Sequence, residues 1–453
     1  MRKPILFNIS RRRFLRSMGA STSMLFLGCE SMDRLILGKP PADETVFILG
    51  AGLAGLAAGI ELKRRKIPFV ILEAGTQPGG RVRSMASFGA AEEVLDLGGE
   101  WISSKHSTVI QWIKELRLEV IRRTPALVHR FPLDPQRDKE FARLLKGNPR
   151  PTDAEAVQVS ALEWFKKISR NSDFETDLKL WSHFRYGADP DQIQAGLLPA
   201  AWRDFPSEEI KLRKGAMGLV MGLFERIAGV LPAENFLWEH RLLEVEDTER
   251  GFRLVMQADG EEITFEARRV ICALPAAVLS GIRGLSEKSG LPKNASFGKL
   301  AKGGGYFAEK FWGKNFSTSG GFGLTQDFVT WESGRRQNFQ KGGLLSFSVG
   351  GKLGQEAGPH SLQQWRESLL HTLRKEVSPP QQDHLQNWSQ LPSFRGSHFV
   401  LAPGMNRESF FRNELGLRKW VWAGEHTSQA FLGTMEGALR SGKDGALQLL
   451  GEA

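Results

Sequence analysis

The chain has 453 residues, 41% hydrophobic and 25% charged, a composition typical of a globular protein with more than one domain. Its formal net charge is +10, but six lysines and arginines and no acid lie within residues 1–28, so the remainder carries only +4. This modest charge, without basic runs, gives no support for nucleic-acid binding. The two cysteines, Cys29 and Cys272, lie in no metal-ligand spacing, and no metal site is expected.

The N-terminal segment has the features of an export signal. Ser10 to Leu15 read SRRRFL, which matches the twin-arginine export pattern, and a weakly apolar stretch continues to Leu27. We therefore expect residues 1–28 to be a signal peptide recognised by the twin-arginine translocase, with the protein in the periplasm or cell envelope. Cys29 is a candidate site for a lipid anchor. The alternative interpretation of the segment is a disordered basic tail.

A glycine-rich turn follows the first predicted strand. Val46 to Leu49 form a short apolar run typical of a buried parallel strand. Gly50, Gly52 and Gly55 then give G-x-G-x-x-G at the start of a predicted helix over residues 53–65. The first glycine permits a tight turn, the second lets the backbone approach a pyrophosphate, and the third lets the helix lie close to the strand.

A second predicted strand, Phe69 to Leu72, ends at Glu73, where a carboxylate can accept hydrogen bonds from ribose hydroxyls. Leu53 and Ala54 begin the preceding helix, and the unpaired N–H groups of a helix N-terminus favour phosphate. A flexible glycine-rich loop is the alternative, but it does not account for the order of strand, helix and acidic residue. Residues 46–73 therefore indicate the binding of a dinucleotide cofactor.

Two further glycine-rich segments add candidate cofactor contacts. Residues 79–84 read GGRVRS, and residues 96–101 read DLGGEW. Both come shortly after the second strand, near the predicted cofactor turn. The candidate contacts in these segments are Gly80, Arg81, Gly98, Gly99, Glu100 and Trp101.

The C-terminal residues 420–442 read WVWAGEHTSQAFLGTMEGALRSG. A short apolar strand leads to Gly424 and Glu425, and a Gly-Thr-Met-Glu-Gly-Ala turn containing Thr434 and Met435 opens a helix. A carboxylate can bind cofactor hydroxyls, and the free N–H groups of a helix N-terminus can face an electron-rich ring. We expect this segment to complete the cofactor site.

As a set, these segments resemble the flavin-containing amine oxidase family, the monoamine and polyamine oxidase group. The matching pieces are GAGLAGLAAG, LEA, GGRVRS, LDLGGEWI and WAGEHTS…GTMEGALRSG. The resemblance implies an α/β fold with a Rossmann-like FAD-binding domain and an interleaved α+β substrate domain. It also implies an enzyme that oxidises an amine C–N bond to an imine, with oxygen or another electron acceptor and hydrogen peroxide as the oxygen-derived product.

The resemblance assigns individual roles in FAD binding. Glu73 would bind the adenosine ribose, and the backbone at Leu242 would touch adenine. Arg81 and the Gly98-Gly99 turn would lie along the pyrophosphate and the flavin. Glu425 would bind the ribityl chain, and the Met435 N–H would face the N1/O2 edge of the flavin.

The domains are expected to be discontinuous. The FAD-binding domain would comprise residues 43–105, 236–295 and 386–453, and the substrate-binding domain residues 106–235 and 296–385. The first insertion looks mainly helical, for example over Ser107 to Leu118 and Leu219 to Leu231. The second mixes glycine-rich strands with a helix around Ser361 to Val377. After Leu242, alternation predicts an antiparallel meander with a turn at Asp259-Gly260. An active site is expected at the domain interface.

The resemblance also points to catalytic residues. Lys302 precedes the pair Phe311-Trp312 at the offset of the family lysine that holds a water at flavin N5; a surface lysine on an edge strand is the alternative. Trp388 would pack at the flavin ring or simply be buried in the core. Ser397 occupies the place of the cysteine that bonds the flavin in covalent members. Since serine cannot form that thioether, FAD here is expected to be non-covalent.

The sequence departs from the family at the aromatic pair that orients the amine. His398 and Thr434 stand at these positions, which puts the usual primary amines in doubt. His398 would still offer a ring and a nitrogen that titrates near pH 7. Thr434 is equally well explained as a helix N-cap.

Residues after the glycine-rich turn bear on the substrate class. The L-amino-acid oxidase branch is disfavoured because its arginine after the glycine-rich turn is absent, and Glu100 in that region favours a cationic substrate or faces the cofactor. Two alternatives to amine oxidation stay open. One is a flavin desaturase or dehydrogenase acting on C–C bonds with a non-oxygen acceptor, and the other is a redox-inactive flavin-binding envelope protein.

Overall fold

The computed structural model describes residues 44–452 apart from 89–92, 104, 118–119, 124–128, 131–135, 137–139, 141–142, 145–150, 170, 199–208, 213–226, 293–294, 313–322, 326, 334–341 and 374–375. The predicted signal segment and Cys29 therefore lie outside the described residues. No helix within the described ranges is long and apolar enough to cross a membrane.

The strands, in chain order, are β1 (Val46–Leu49), β2 (Phe69–Leu72), β3 (Ser84–Phe88), β4 (Glu93–Asp96), β5 (Ile102–Ser103), β6 (Val120–Arg123), β7 (His129–Arg130), β8 (Glu209–Leu212), β9 (Phe236–Leu237), β10 (Arg241–Thr248), β11 (Gly251–Ala258), β12 (Glu261–Ala267), β13 (Arg269–Cys272), β14 (Ala301–Phe307), β15 (Gly323–Thr325), β16 (Phe328–Glu332), β17 (Gly343–Val349), β18 (Gln382–Asn387), β19 (Glu414–Leu415) and β20 (Lys419–Trp422).

The α-helices are α1 (Leu53–Arg64), α2 (Ser107–Glu115), α3 (Asp153–Gln158), α4 (Ala161–Ile168), α5 (Ser172–Tyr186), α6 (Leu285–Ser289), α7 (Gly351–Glu356), α8 (Pro359–Leu373) and α9 (Met435–Leu450). Short 3₁₀ helices span Ala233–Asn235, Ala276–Gly281 and Arg407–Ser409.

The first six-stranded sheet brings the two ends of the chain together. Its order is β19-β20-β13-β1-β2-β9, and β1 pairs in parallel with β13 and β2. Strand β1 is apolar throughout, and all four of its residues are buried, as is typical of a central parallel strand. β1, β13 and β20 are parallel and in register at Leu49, Cys272 and Trp422, so their carboxyl ends share one edge. The N-terminal and C-terminal motifs meet there, at the edge where parallel α/β sheets bind ligands.

Glycines allow α1 to lie close to its neighbours. A Cβ at Gly55 would collide with the Gly50 carbonyl oxygen, so the third glycine of the motif is needed for contact between helix and strand, as predicted. A Cβ at Gly442 on α9 would collide with the Ala54 carbonyl oxygen on α1. The two helices therefore pack backbone against backbone on one face of the sheet.

A second six-stranded sheet has the order β18-β14-β17-β16-β15-β7. Strand β14 is antiparallel to β17 on one side and to β18 on the other, and every residue of β14 is buried. Lys302 lies on this strand and is only 4% exposed. The alternative of a surface lysine on an edge strand is therefore wrong.

The remaining elements match the sequence analysis in part. β10, β11 and β12 form the expected antiparallel meander, with the turn at Asp259-Gly260. Helix α8 corresponds to the helix predicted around Ser361 to Val377, although it begins and ends earlier. The first insertion contains helices α2 to α5 but also strands β6 to β8, so the expectation of a mainly helical insertion was incomplete. Residues 219–226 of the predicted helix ending at Leu231 lie outside the described residues.

Candidate active site

One cavity collects the predicted site residues. Its walls come from the β1–α1 turn, the segments around Arg81 and Glu100, the second sheet, and the start of α9. All of the predicted cofactor-binding and catalytic residues line it except Gly55 and Leu242. Gly55 is inside α1. Leu242 lies on β10, the first strand of the meander, and its side chain is buried in the core. A role for the Leu242 backbone stays a prediction.

The β1–α1 turn presents backbone to the cavity. Gly50 adopts φ of 98°, a left-handed conformation that glycine adopts without strain. Gly52 caps α1 without a side chain, and a Cβ placed on it would meet no atom within 4 Å. Open space at this glycine and free N–H groups at the helix N-terminus fit a pyrophosphate. The residues present therefore suit the nucleotide half of FAD.

Glu73 lies beside this turn at the end of β2. Its carboxylate accepts hydrogen bonds from the backbone N–H groups of Ala51 and Gly75, both at 2.7 Å. Burial raises the pKa of Glu73, and the two backbone hydrogen bonds oppose that shift. These contacts fix the carboxylate in the cavity wall, where its remaining lone pairs can accept from hydroxyl groups.

Arg81 and Glu425 link the early and late motifs. The Arg81 guanidinium donates to Glu425 Oε1 at 2.8 Å and to the Ser397 carbonyl at 2.7 Å. Glu425 also accepts from the N–H groups of Phe399 (3.1 Å) and Gly433 (3.0 Å). Burial would raise the pKa of Glu425, but the charge and hydrogen bond of Arg81 and the interactions with His426 and His398 together outweigh burial, and the pKa is lowered. Glu425 is therefore ionised at neutral pH.

Helix α9 begins at Met435 and points its N-terminus at the cavity. The Thr434 side chain accepts from the Gly437 N–H at 3.0 Å and donates to the Phe431 carbonyl at 2.7 Å. The N-cap interpretation of Thr434 is confirmed. Gly99 packs against Met435, whose sulfur would lie 3.1 Å from a Cβ at that glycine.

Lys302 forms a buried ion pair with Glu100. Its Nζ donates to Glu100 Oε2 at 2.6 Å and to the Gly98 carbonyl at 3.0 Å, and it lies 5.3 Å from the centre of the Trp331 ring. The Trp331 indole N–H donates to Glu100 Oε1 at 3.3 Å. The expectation that Glu100 favours a cationic substrate is therefore wrong, because the protein itself supplies the cation.

Trp388 is buried, as one interpretation of the sequence expected, and its packing at the flavin ring stays a prediction. Its indole N–H donates to the Leu97 carbonyl at 2.8 Å, and it also lines the cavity. Ser397 also lines the cavity. The Ser397 hydroxyl is buried, with no hydrogen-bond partner among the described residues.

His398 differs from its expected chemistry. Burial lowers its pKa to about 4, with smaller contributions from neighbouring charges. The ring is therefore neutral at pH 7, and the expectation of a nitrogen titrating near pH 7 was wrong.

Aromatic rings line the cavity both from the motif segments and from elements that carried no motif. Phe184 at the end of α5 and Trp101 each contact Trp331 on β16 edge-on, with ring centroids 5.8 and 5.9 Å apart. Phe431 and Arg185 also line the cavity. The sequence analysis missed Phe184, Arg185, Trp331 and Phe431. The local sequence around Trp331 does not show which way its ring faces.

Comparisons with solved structures show the fold. Cyclohexylamine oxidase from Brevibacterium oxydans superposes with a TM-score of 0.73 at 20% identity, covering 90% of this chain and 99% of that chain. Wild-type putrescine oxidase bound to putrescine gives a TM-score of 0.71 at 19% identity, with the same coverage of both chains. Both share the amine oxidase fold with this chain.

The curated relatives that match most of this chain are longer proteins. A lysine-specific histone demethylase 1 homolog 3 of Oryza sativa subsp. indica is 25% identical over 452 residues, which cover 89% of this chain and 54% of that protein. The chain thus spans about half the length of the curated relatives it matches along most of its sequence. A putrescine oxidase of Kocuria rosea is 37% identical over 92 residues, or 20% of this chain. The sequence model described as "flavin containing amine oxidoreductase" matches residues 53–450. The chain belongs to this family of FAD-dependent oxidoreductases.

Proposed function

We propose that this protein oxidises an amine C–N bond to an imine and passes the electrons to oxygen, releasing hydrogen peroxide. The observation that carries the proposal is the Lys302 ammonium, buried in the wall of the FAD cavity next to aromatic side chains. Putrescine oxidase and cyclohexylamine oxidase, which share the fold, are named for the oxidation of amines. The imine would hydrolyse to an aldehyde and ammonia or a smaller amine.

The residues of the cavity suit this chemistry. Bound FAD supplies the acceptor for a hydride from the carbon next to nitrogen. An ammonium has three N–H donors, and Lys302 uses two of them on Glu100 and Gly98, so a third can hold a water. Its fixed positive charge stabilises negative charge that develops as oxygen is reduced. Apolar walls such as Trp331 and Phe431 disfavour a protonated amine and so favour the reactive neutral form.

The cofactor assignments fit the same cavity. Glu73 would accept hydrogen bonds from the adenosine ribose and Glu425 from the ribityl chain. Arg81 neutralises Glu425, and the N-terminus of α9 would face the flavin edge. Serine at position 397 forms no thioether, so FAD would be released by denaturation. Acid precipitation tests this, because non-covalent flavin stays in the supernatant.

Oxygen uptake and peroxide release across a panel of amines test the reaction. We expect reoxidation of the flavin to fall by about 100-fold in Lys302→Met/Glu100→Gln, which removes the charge without leaving Glu100 unpaired. Lys299→Met, three residues away, is the matched control. Unchanged reoxidation in the double variant would remove Lys302 from the mechanism. If the flavin bleaches only with a polyene or quinone-linked donor, a C–C dehydrogenase is favoured. If no donor bleaches the flavin, a redox-inactive protein is favoured.

We also propose export by the twin-arginine route, with Cys29 as the candidate site of a lipid anchor. The support is the SRRRFL segment, and a folded, FAD-loaded enzyme suits a translocase that carries folded proteins. In the double variant Arg11→Lys/Arg12→Lys, we expect the flavoprotein to stay in the cytoplasm. A Cys29→Ala variant should move from the membrane to the soluble fraction if Cys29 is lipidated. Normal export of the double-lysine variant would contradict the proposal.

A further inference from the structure

The charged side chains that line the cavity are three carboxylates and three cations, but they do not all form ion pairs with one another. Six are present, namely Glu73, Arg81, Glu100, Arg185, Lys302 and Glu425. Glu100 is paired with Lys302, and Glu425 is paired with Arg81. Glu73 is held by backbone N–H groups at the nucleotide turn. Arg185 is the charged group left over, since it has no carboxylate partner in the part of the chain that the structure describes.

Arg185 lies in the last turn of α5 and reaches the cavity near His398. Its Nη2 donates to the Leu432 carbonyl at 3.4 Å, and the guanidinium lies 5.1 Å from the centre of the Tyr186 ring. A Cβ on Gly433 would be 3.7 Å from Arg185 Nη1 and 3.4 Å from the His398 ring. Arg185 and His398 therefore face the same pocket, beside the turn that opens α9.

An unpaired guanidinium in this position needs a partner. Among the residues that the structure describes, one weak hydrogen bond engages its five N–H donors, and bound cofactor and substrate would exclude the water that otherwise solvates it. The dipole at the C-terminal end of α5 is a partial compensation. A planar carboxylate from the substrate would match the fork of donors on the guanidinium.

We propose that Arg185 binds a substrate carboxylate, so that the preferred donor is an amino acid rather than a simple alkylamine. The inference rests on the proposed amine oxidation. The arginine of the L-amino-acid oxidase branch follows the glycine-rich turn, whereas Arg185 comes from α5, a different element. In the reaction, the Cα–H leaves with its electron pair to FAD and the nitrogen loses a proton. Water converts the imino acid to a 2-oxo acid and ammonia, and oxygen takes up two electrons and two protons as hydrogen peroxide.

Matched donor pairs test the proposal in the FAD-loaded full chain. Phenylalanine is compared with phenethylamine, and leucine with 3-methylbutylamine, by kcat/KM. We expect Arg185→Met to lower kcat/KM for each amino acid by about 100-fold and for each decarboxylated amine by less than about threefold. Arg185→Lys should restore part of the loss. Lys179→Met, an exposed position on the same helix, is the control and should change neither.

A binding measurement tests the carboxylate site without requiring turnover. Benzoate and its neutral analogue benzyl alcohol are titrated against the oxidised protein, and the flavin absorbance reports binding. We expect benzoate to bind at least about tenfold more tightly, and Arg185→Met to remove that preference while FAD content is unchanged.

The outcomes separate the two ideas. If amines are oxidised faster than their amino acids and Arg185→Met has no effect, the carboxylate site is wrong while amine oxidation stands. If no donor reduces the flavin but benzoate binding still depends on Arg185, the carboxylate site stands and the proposed amine oxidation fails. If benzoate binding is also unaffected by Arg185→Met, the carboxylate site is contradicted.

Discussion

At the scale of single residues, the Lys302–Glu100 pair is more deeply buried than the Arg81–Glu425 pair, the other ion pair that lines the cavity. Lys302 and Glu100 are 202 residues apart in sequence, and their side-chain exposures are 5% and 0%. Both charges have lost their water, so each depends on the other and on the neighbouring Gly98 carbonyl and Trp331 indole. The pair also joins the second sheet to the FAD-binding half of the chain.

We expect the two charges to be strongly coupled. Lys302→Met or Glu100→Gln alone should lower the free energy of unfolding by about 3–5 kcal/mol, because each leaves a buried group without its partner. The double variant should lose clearly less than the sum of the single losses. Denaturant unfolding of the four proteins gives the coupling energy directly. Additive losses would show that the two side chains do not interact in solution.

Two buried histidines should make stability depend on pH. Burial lowers the pKa of both His398 and His426 to about 4, while the unfolded chain titrates near 6.5. The unfolded state therefore binds more protons between these values, so stability is lost as pH falls from about 6.5 towards 4, by roughly 3 kcal/mol for each histidine. Unfolding midpoints measured between pH 7 and pH 4.5 check this.

His426→Leu isolates one of these contributions. Neither ring nitrogen of His426 has a hydrogen-bond partner among the described residues, and the ring packs 4.5 Å from Phe411. An apolar side chain should therefore be tolerated at pH 7, and the decline at acid pH should become shallower. The same slope in His426→Leu and the parent would contradict the assignment.

At the scale of elements, the contact between α1 and α9 sets the geometry of the cofactor turn. We expect Gly442→Ala to destabilise the protein by about 1–3 kcal/mol, because the new Cβ meets the α1 backbone at Ala54. In an open helix the same change stabilises by roughly 0.5–1 kcal/mol. Gly229, in the helical turn over residues 227–230 with nothing within 4 Å of its Cβ, is the matched control. Thermal unfolding should therefore shift in opposite directions for the two variants.

The elements that sequence identified are those with strong local patterns. β1 and β2 have the predicted bounds because buried parallel strands are continuous apolar runs that end at a glycine or an acid. The offset of Lys302 could be recognised from sequence. Its position on a central strand depends on β17 and β18, where it pairs with Ser348 and Gln386, which are 46 and 84 residues away. Arg185 and Trp331 could not be found, because which way a side chain faces on α5 or β16 is decided by tertiary packing.

At the scale of the whole molecule, the cavity is closed by segments from both ends of the chain and by both insertions. We therefore expect FAD to stabilise the whole protein, by about 2.7 kcal/mol at a concentration 100 times its Kd. FMN lacks the adenosine that Glu73 would hold and should stabilise less at equal concentration. Thermal unfolding of protein freed of flavin, with FAD or FMN added back, measures this.

Glu73→Gln should reduce the difference in stabilisation between FAD and FMN, because it weakens only the nucleotide end of the site. Equal stabilisation by FAD and FMN would mean that the adenosine half is not held in this cavity.

The most direct test of the account is an anaerobic titration of the purified holoprotein. Its visible flavin band should bleach when an amine donor, with phenylalanine and phenethylamine in the panel, is added without oxygen, and it should return with release of one hydrogen peroxide per flavin when air is admitted. Protein that carries no flavin, or flavin that stays oxidised with every amine, would contradict the account.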